Sequence, residues 1–421
     1  MKVFLLAAAT AVLLVAPLGS RGETGQPVLL VYRLESERQS ITDILSACGY
    51  QVTAIGEADY HTSSLAGYTA LVTTVKQPKL DALDAGIPVL CVGSYAGPVD
   101  GVQVQPARGL SGILRAGHLQ ASVSFEDQAY LITEYSGDAV GEMDFALRGS
   151  FPYGIIHGSV AYAPNFVQDN IQPLALAQLM RRLLGDTEQG RLFLLIDEVY
   201  PFSDLGMLCL MADELYRMGY PFTVSAMPVY DNLQYPAFLR YAQVLRYVQS
   251  RGGAVVMHDP IIRAAENEAE SAGAQLDRAR TAFEQQGIML ANGLVSPYHF
   301  SLDSFSSLAS SGAAFGPLPM DIAVILPIAK TPEEFGRTLR LIANKWVAAS
   351  SLYKMAANEP YLYDEKPIDV QFAYREEVET SFEGFFSAGN QTLLVVVLIS
   401  LVVFSGLLTG GYFLYRRKFF R

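Results

Sequence analysis

Apolar and polar positions come in alternating blocks along residues 27–95. Val28 to Tyr32 is a β-rich apolar run, and a helix-compatible stretch from Glu35 to Ala47 follows and stops at Gly49. Further strands are predicted over Gln51 to Ile55, Ala70 to Thr74 and Ile87 to Val92, with the helix-like Lys79 to Ala85 between the last two. Short apolar runs separated by helical periods are the pattern of a parallel sheet with crossover helices. Residues 27–95 therefore read as a small doubly wound, flavodoxin-like α/β domain. From Gly97 to Ala163 the period shortens: Val102–Val104, Ala121–Phe125, Ala129–Ile132, Phe145–Leu147 and Ile155–Ile156 stand between glycines and prolines. That pattern predicts antiparallel strands in a β-rich segment over 96–165.

Helical spacing over Gln172 to Leu184, then a polar break from Gly185 to Gly190, puts a domain boundary at 165–190. Beyond it Leu192–Ile196, Phe222–Met227, Ala254–His258, Gly293–Pro297 and Ile322–Ile328 read as strands. Helices are expected around Leu205–Met218, Tyr235–Ser250, Ala264–Gln286 and Pro332–Ser350. Repeated βα units of this length predict an α/β barrel or an open α/β layer over 190–350. Residues 351–390 read as an irregular stalk.

The two ends change the picture. Met1 and Lys2 precede an apolar run from Val3 to Ala16, and Pro17 to Ser20 supply a helix break and small residues, so 1–22 reads as a signal peptide; an uncleaved N-terminal anchor is the other reading. Thr392 to Tyr415 carries no charge over 24 residues, enough to cross a bilayer as a helix. Arg416, Arg417, Lys418 and Arg421 follow, which places the tail 416–421 in the cytoplasm. The expectation is a single-pass type I protein of the cell membrane with most of its chain outside the cytoplasm.

Composition narrows the partners. Across 421 residues, 51% are hydrophobic and 17% charged, which excludes a disordered chain. Lys and Arg number 30 against 42 Asp and Glu, a net charge of −12, so a phosphate backbone is repelled and nucleic acid is excluded as a partner. Cys48, Cys91 and Cys209 are too widely spaced for a zinc ribbon or a disulfide framework, and a Cys48–Cys91 bridge stays open. No Gly-x-Gly-x-x-Gly follows the first strand, where Arg33 to Glu37 stand instead, and no Gly-x-Ser-x-Gly elbow occurs.

Sites in barrels and open parallel sheets lie at the carboxyl ends of the strands. Here Leu192–Ile196 runs into Asp197 and Glu198, Ala254–Met257 into His258 and Asp259, and the strand after Gly293 into Pro297, Tyr298 and His299. Carboxylates and histidines converging on one rim would make a general base beside a divalent metal. Helix capping by Asp197 and a satisfied buried His258 is the other reading.

The runs Ile196 to Leu205, Gly219 to Tyr230, Arg251 to His258 and Ser296 to Phe300 resemble the polysaccharide deacetylases, nearest the branch of exported, membrane-linked bacterial proteins, over about residues 190–350. The resemblance implies a (β/α) barrel, one divalent metal with zinc favoured, and metal-assisted hydrolysis of an acetyl group. Carried over by position, Asp197 is the base, Glu198 and His258 are metal ligands, the backbone near Tyr298 holds the oxyanion, and Pro297 and Tyr230 contact substrate. The chain departs from the pattern at Ile262, where the family has a second histidine, and at Glu198, where it has aspartate. Asp259 and His299 are the residues at hand to replace the lost ligand. The expected protein acts on or binds envelope or extracellular glycan through a degenerate metal site, as a metal-dependent carbohydrate deacetylase or as a pseudoenzyme. The alternative is a non-catalytic scaffold or accessory subunit of a membrane polysaccharide synthesis or export complex, with Gly406 and Gly410 spaced for close packing against a membrane-protein partner.

Overall fold

The structure, a computed structural model, describes residues 26–94, 101–166, 171–229, 231–258, 272–291, 296–310, 317–345 and 349–351. The expected signal peptide, stalk and segment 392–415 lie outside these residues, as do Tyr230, Asp259 and Ile262. Among the described residues no helix is long and apolar enough to cross a membrane.

The chain opens with β1 (Pro27–Tyr32), α1 (Glu35–Ala47), β2 (Gln51–Gly56), β3 (Ala70–Thr73), α2 (Lys76–Asp84) and β4 (Val89–Val92). The four strands run parallel in the order β2-β1-β3-β4. Every residue of β3 and β4 is buried, as in parallel sheets covered on both faces. Next come β5 (Gln103–Ala107), β6 (Leu110–Ala116), β7 (Leu119–Phe125), β8 (Ala129–Glu134), β9 (Asp138–Phe145), β10 (Gly149–His157) and β11 (Val160–Ala163). Strands β5 and β8 form a separate ribbon. The others extend the first sheet, because β11 pairs antiparallel with β10 and parallel with β4. Residues 27–95 and 96–165, which read as two units in sequence, thus share one sheet. Helix α3 (Gln172–Leu184) packs on β10 and β11 and ends where Gly185 takes a left-handed φ of 65°.

The second unit comprises β12 (Leu192–Val199), α4 (Leu205–Arg217), β13 (Phe222–Ala226), α5 (Pro236–Ser250), β14 (Gly253–Met257), α6 (Ala272–Gln285), β15 (Tyr298–Ser301), α7 (Leu302–Ser307), β16 (Ala309–Ser310), β17 (Ile322–Leu326) and α8 (Pro332–Ala343). Its sheet has the order β14-β13-β12-β17-β15, all parallel. Among the described residues this sheet is open, with β14 and β15 at its edges, and the expected barrel closure is not made. After α6 the chain makes one parallel bridge beside β14, Leu290 opposite Val255 with the Ala291 N–H donating to the Val255 carbonyl at 2.8 Å, and the next described strand, β15, lies at the opposite edge. Strand β15 starts at Tyr298, after Pro297, which has no N–H to give a ladder, and residues 293–295 of the expected Gly293–Pro297 strand lie outside the described residues. The short β16 leaves this sheet altogether and pairs with the outer edge of the first, along β7.

Side chains alternate along β12. Leu192, Leu194 and Ile196 join the main core under the helices, while Phe193 and Leu195 meet Ala323 in a small cluster on the other face. That second face carries the cleft described below.

The two units are tied together at residues 318–321. Arg181 of α3, 4% exposed, donates from Nε to the Pro319 carbonyl and from Nη2 to the Cys48 carbonyl at 3.0 Å, and its Nη1 pairs with Asp186. Tyr50 Oη donates to Asp186 Oδ2 at 3.0 Å. The Asp321 N–H donates to the Ala47 carbonyl at 2.9 Å, and the Asp321 carboxylate takes Arg191 Nη2 at 2.7 Å. Cys48, Cys91 and Cys209 are all free thiols, so the open Cys48–Cys91 pairing is not formed. Burial pushes the Cys48 and Cys91 thiols up to about 12, which leaves both unreactive at neutral pH.

Candidate functional site

The carboxyl end of β12 is not a regular strand end. Ile196 stands opposite Val224 and Val199 opposite Ala226, so Asp197 and Glu198 share the place of one residue, Ser225. This is a β-bulge, the local device that re-aims side chains at sheet rims. Glu198 takes a φ of 52°, a left-handed backbone that costs a residue with a Cβ on the order of 1–2 kcal/mol. The kink brings the Glu198 N–H to within 2.9 Å of Asp197 Oδ1, to which it donates. Asp197 lines the cleft, whereas Glu198 is exposed and does not.

His258 directly follows β14, and its N–H donates to the Ala226 carbonyl at 2.9 Å. Its Nε2 lies 3.8 Å from Asp197 Oδ1, each side chain about one-fifth exposed. Two of the residues singled out in sequence therefore do meet at the carboxyl edge of the sheet.

The cleft beneath them has a volume of about 940 Å³. Phe193, Leu195, Thr223, Ser225 and Ala323 face it from the sheet, and Leu276 and Arg280 of α6 line it as well. Pro297, Tyr298 and His299 line it too, but at the opposite end. His299 pairs with Ala323, which pairs with Phe193, four residues before Asp197. At about 3.3 Å per residue that is roughly 13 Å along the strands, with β17 between β15 and β12 adding about 10 Å across. The expected convergence of His299 with Asp197 and His258 is therefore not made, because Tyr298 and His299 begin their strand instead of ending it. The Tyr298 N–H donates to the Asp321 carbonyl at 2.9 Å, so it is committed to the sheet and does not serve an oxyanion.

At this far end α1 of the first unit reaches into the cleft with Gln39 and Asp43. Gln39 Nε2 donates to Asp43 Oδ1 at 2.8 Å, and burial holds the Asp43 carboxyl above its ordinary range. Sequence reading missed both residues. Their spacing of four shows only that they share a helix face.

The resemblance implies a divalent metal, and the donors present can be tested against one. Among the described residues no three His, Cys, Asp or Glu side chains are grouped to hold an ion. Asp197 and His258 are two donors where a catalytic zinc takes three protein ligands. Glu198 is turned out by the bulge, and His299 stands at the other pole. The described donor set does not fit the metal. Elemental analysis of the full-length protein purified without chelator is expected to find sub-stoichiometric zinc that His258→Ala leaves unchanged. Stoichiometric zinc lost in that variant would show that residues beyond those described complete the site.

No family model matches the chain, and no curated protein matches it. Among solved structures it is similar to the carbohydrate deacetylase Agd3, with a TM-score of 0.33 and 12% identity over 76% of this chain and 64% of that one. It is also similar to a family 4 carbohydrate esterase from Bacillus anthracis, with a TM-score of 0.26, 15% identity, and 40% and 84% of the two chains covered. A GMP synthase component from Thermoplasma acidophilum matches with a TM-score of 0.24, 13% identity, and 39% and 94% covered. The chain spans less than two thirds of the length of the first of these.

Proposed function

We propose that the chain is a polysaccharide-deacetylase-like protein that binds a segment of envelope or extracellular glycan in this cleft, without turning it over. The observation that carries the reading is the meeting of Asp197 and His258 at the carboxyl edge of a parallel sheet, beside an open cleft with apolar and hydroxyl-bearing walls. A carboxylate and an imidazole 3.8 Å apart can accept from and donate to vicinal sugar hydroxyls. The motif resemblance over 190–350 supports the carbohydrate class, and the outward turn of Glu198 at the bulge favours binding over metal-assisted hydrolysis. An aromatic surface adds to this. Phe202 in the β12–α4 loop is 78% exposed and stacked on Tyr200 with ring centroids 4.9 Å apart, a flat apolar face of the kind pyranose rings pack on. In this reading the segment 392–415 holds the protein in the membrane with the cleft on the outer side, a proposal that rests on its 24 uncharged residues and the basic tail.

The test is binding of acetylated polysaccharide fragments to the full-length protein, with acetate release followed in parallel. Binding without release is expected, weakened about tenfold by Asp197→Asn. Phe202→Ala is expected to weaken it by a smaller factor, roughly three- to fivefold, through loss of ring contact. Acetate release abolished by Asp197→Asn would replace the binding reading with a hydrolase. A panel of acetylated glycans that shows no binding at all would remove it.

A further inference from the structure

The first sheet ends in a strand that no described residue covers. Its order puts β2 at the edge, paired among the described residues with β1 alone. That pairing is parallel and unbroken, from Pro27 opposite Gln51 to Tyr32 opposite Gly56, and the Gln51 N–H donates to the Gln26 carbonyl at 3.1 Å. A parallel ladder commits both backbone groups of alternate residues to one neighbour, so Gln51, Thr53 and Ile55 turn theirs to β1. Val52, Ala54 and Gly56 present theirs outward.

The devices that protect an edge strand are missing from β2. Residues 51–56 hold no charge and no proline, and their register with β1 has no bulge. Other edges are at least partly met: β16 pairs with part of β7, and Leu290 bridges to Val255 on β14. Gly56 keeps an extended backbone, with φ −68° and ψ 154°, so strand geometry runs to the last residue of β2.

The same stretch is complementary to itself. Set antiparallel across a two-fold axis at Ala54, each Ala54 exchanges both backbone groups with its counterpart and each Val52 does so with the opposite Gly56, about six hydrogen bonds in all. Thr53 then stands opposite Ile55, a cross-strand pair of β-branched side chains. Gln51, whose amide donates, stands opposite Glu57, the exposed residue that follows the strand. In this register no carboxylate faces another. From these features we infer that β2 is the docking edge for a second copy of this chain, and that an antiparallel β2–β2 pair joins the first sheets of the two copies into one. The inference draws nothing from the glycan reading.

The test is the mass of the full-length protein in mild detergent, followed by sedimentation over a range of concentrations. Wild type is expected to form a dimer at micromolar concentration. Ala54→Pro removes the outward N–H at the axis and leaves the ladder to β1 intact, so it should weaken the dimer about tenfold to a hundredfold. Thr53→Lys, at an exposed position, sets a charge on each strand beside the axis and should weaken it as well. Mixing Thr53→Cys chains with Ile55→Cys chains reads the register. On mild oxidation the mixture is expected to cross-link well beyond either variant alone or wild type, because the two positions face each other across a closely spaced pair. A monomer at every concentration overturns the inference. So does a dimer that Ala54→Pro and Thr53→Lys leave intact and that gives no mixed cross-link, since another surface then holds it.

Discussion

Replacing Arg181 with methionine is expected to destabilise the protein by about 3–5 kcal/mol, seen as a lower urea midpoint with an unchanged slope. The guanidinium is almost wholly buried, and its donors go to the carbonyls of Cys48 and Pro319 and to the Asp186 carboxylate. Methionine fills much of the volume and removes every donor. Asp186, with 15% of its side chain exposed, would keep the Tyr50 hydroxyl but lose its counter-charge. Arg181→Lys is expected to recover little of the loss, since a single ammonium cannot reproduce a planar fork aimed at three acceptors. A midpoint within experimental error of wild type would show that the 318–321 segment is held mainly by Arg191 and Asp321.

Gly190→Ala is the second large effect, expected at about 4 kcal/mol or more, with little soluble protein recovered. The Gly190 N–H donates to the Leu318 carbonyl at 2.8 Å, and the backbone of Met320 passes directly beneath the glycine. A Cβ there would overlap the Met320 carbonyl carbon and oxygen. No rotamer change relieves a collision with main chain, so one of the two segments must move. Both carry the junction between the units, because Asp321 is bonded to Ala47 and Arg191. Expression yield and thermal midpoint measure this directly; a midpoint equal to wild type would mean that 190 and 320 separate without cost.

Much of this fold is legible in local pattern. The strands β1 to β4, helix α3 and the βα succession from Leu192 to Met257 follow from apolar runs and helical periods, which are short-range properties of the chain. The first sheet's continuity is not local: it depends on β11 lying beside β4, residues far apart in sequence, and no periodicity encodes that. Strand β6 was hidden by Gly112, whose missing side chain makes room for the Asp144 backbone and the Phe145 ring. Phe145–Leu147, expected as a strand, ends at Phe145, and Leu147 is fully exposed in the turn beyond.

The site divides the same way. Asp197 and His258 were readable because strand ends in parallel sheets present side chains to one rim. Glu198 was misplaced because a bulge, unlike a strand, breaks the count that would have aimed it. Gln39 and Asp43 reach the cleft only through the packing of one unit against the other, so nothing around them in sequence marks them as lining residues.

The pairing of Ala309 and Ser310 with Gln120 and Leu119 sets an order on biosynthesis. As the chain emerges from the ribosome, the other strands of that sheet can assemble while the Leu119–Gln120 end of β7 has no partner on its outer side. The two residues that pair with it are made only after most of the second unit has been translated. In that interval the nascent chain presents this short stretch of strand edge unpaired, the kind of surface that recruits holdase chaperones or pairs with a neighbouring nascent chain. Truncation before Ala309 would make that transient species permanent.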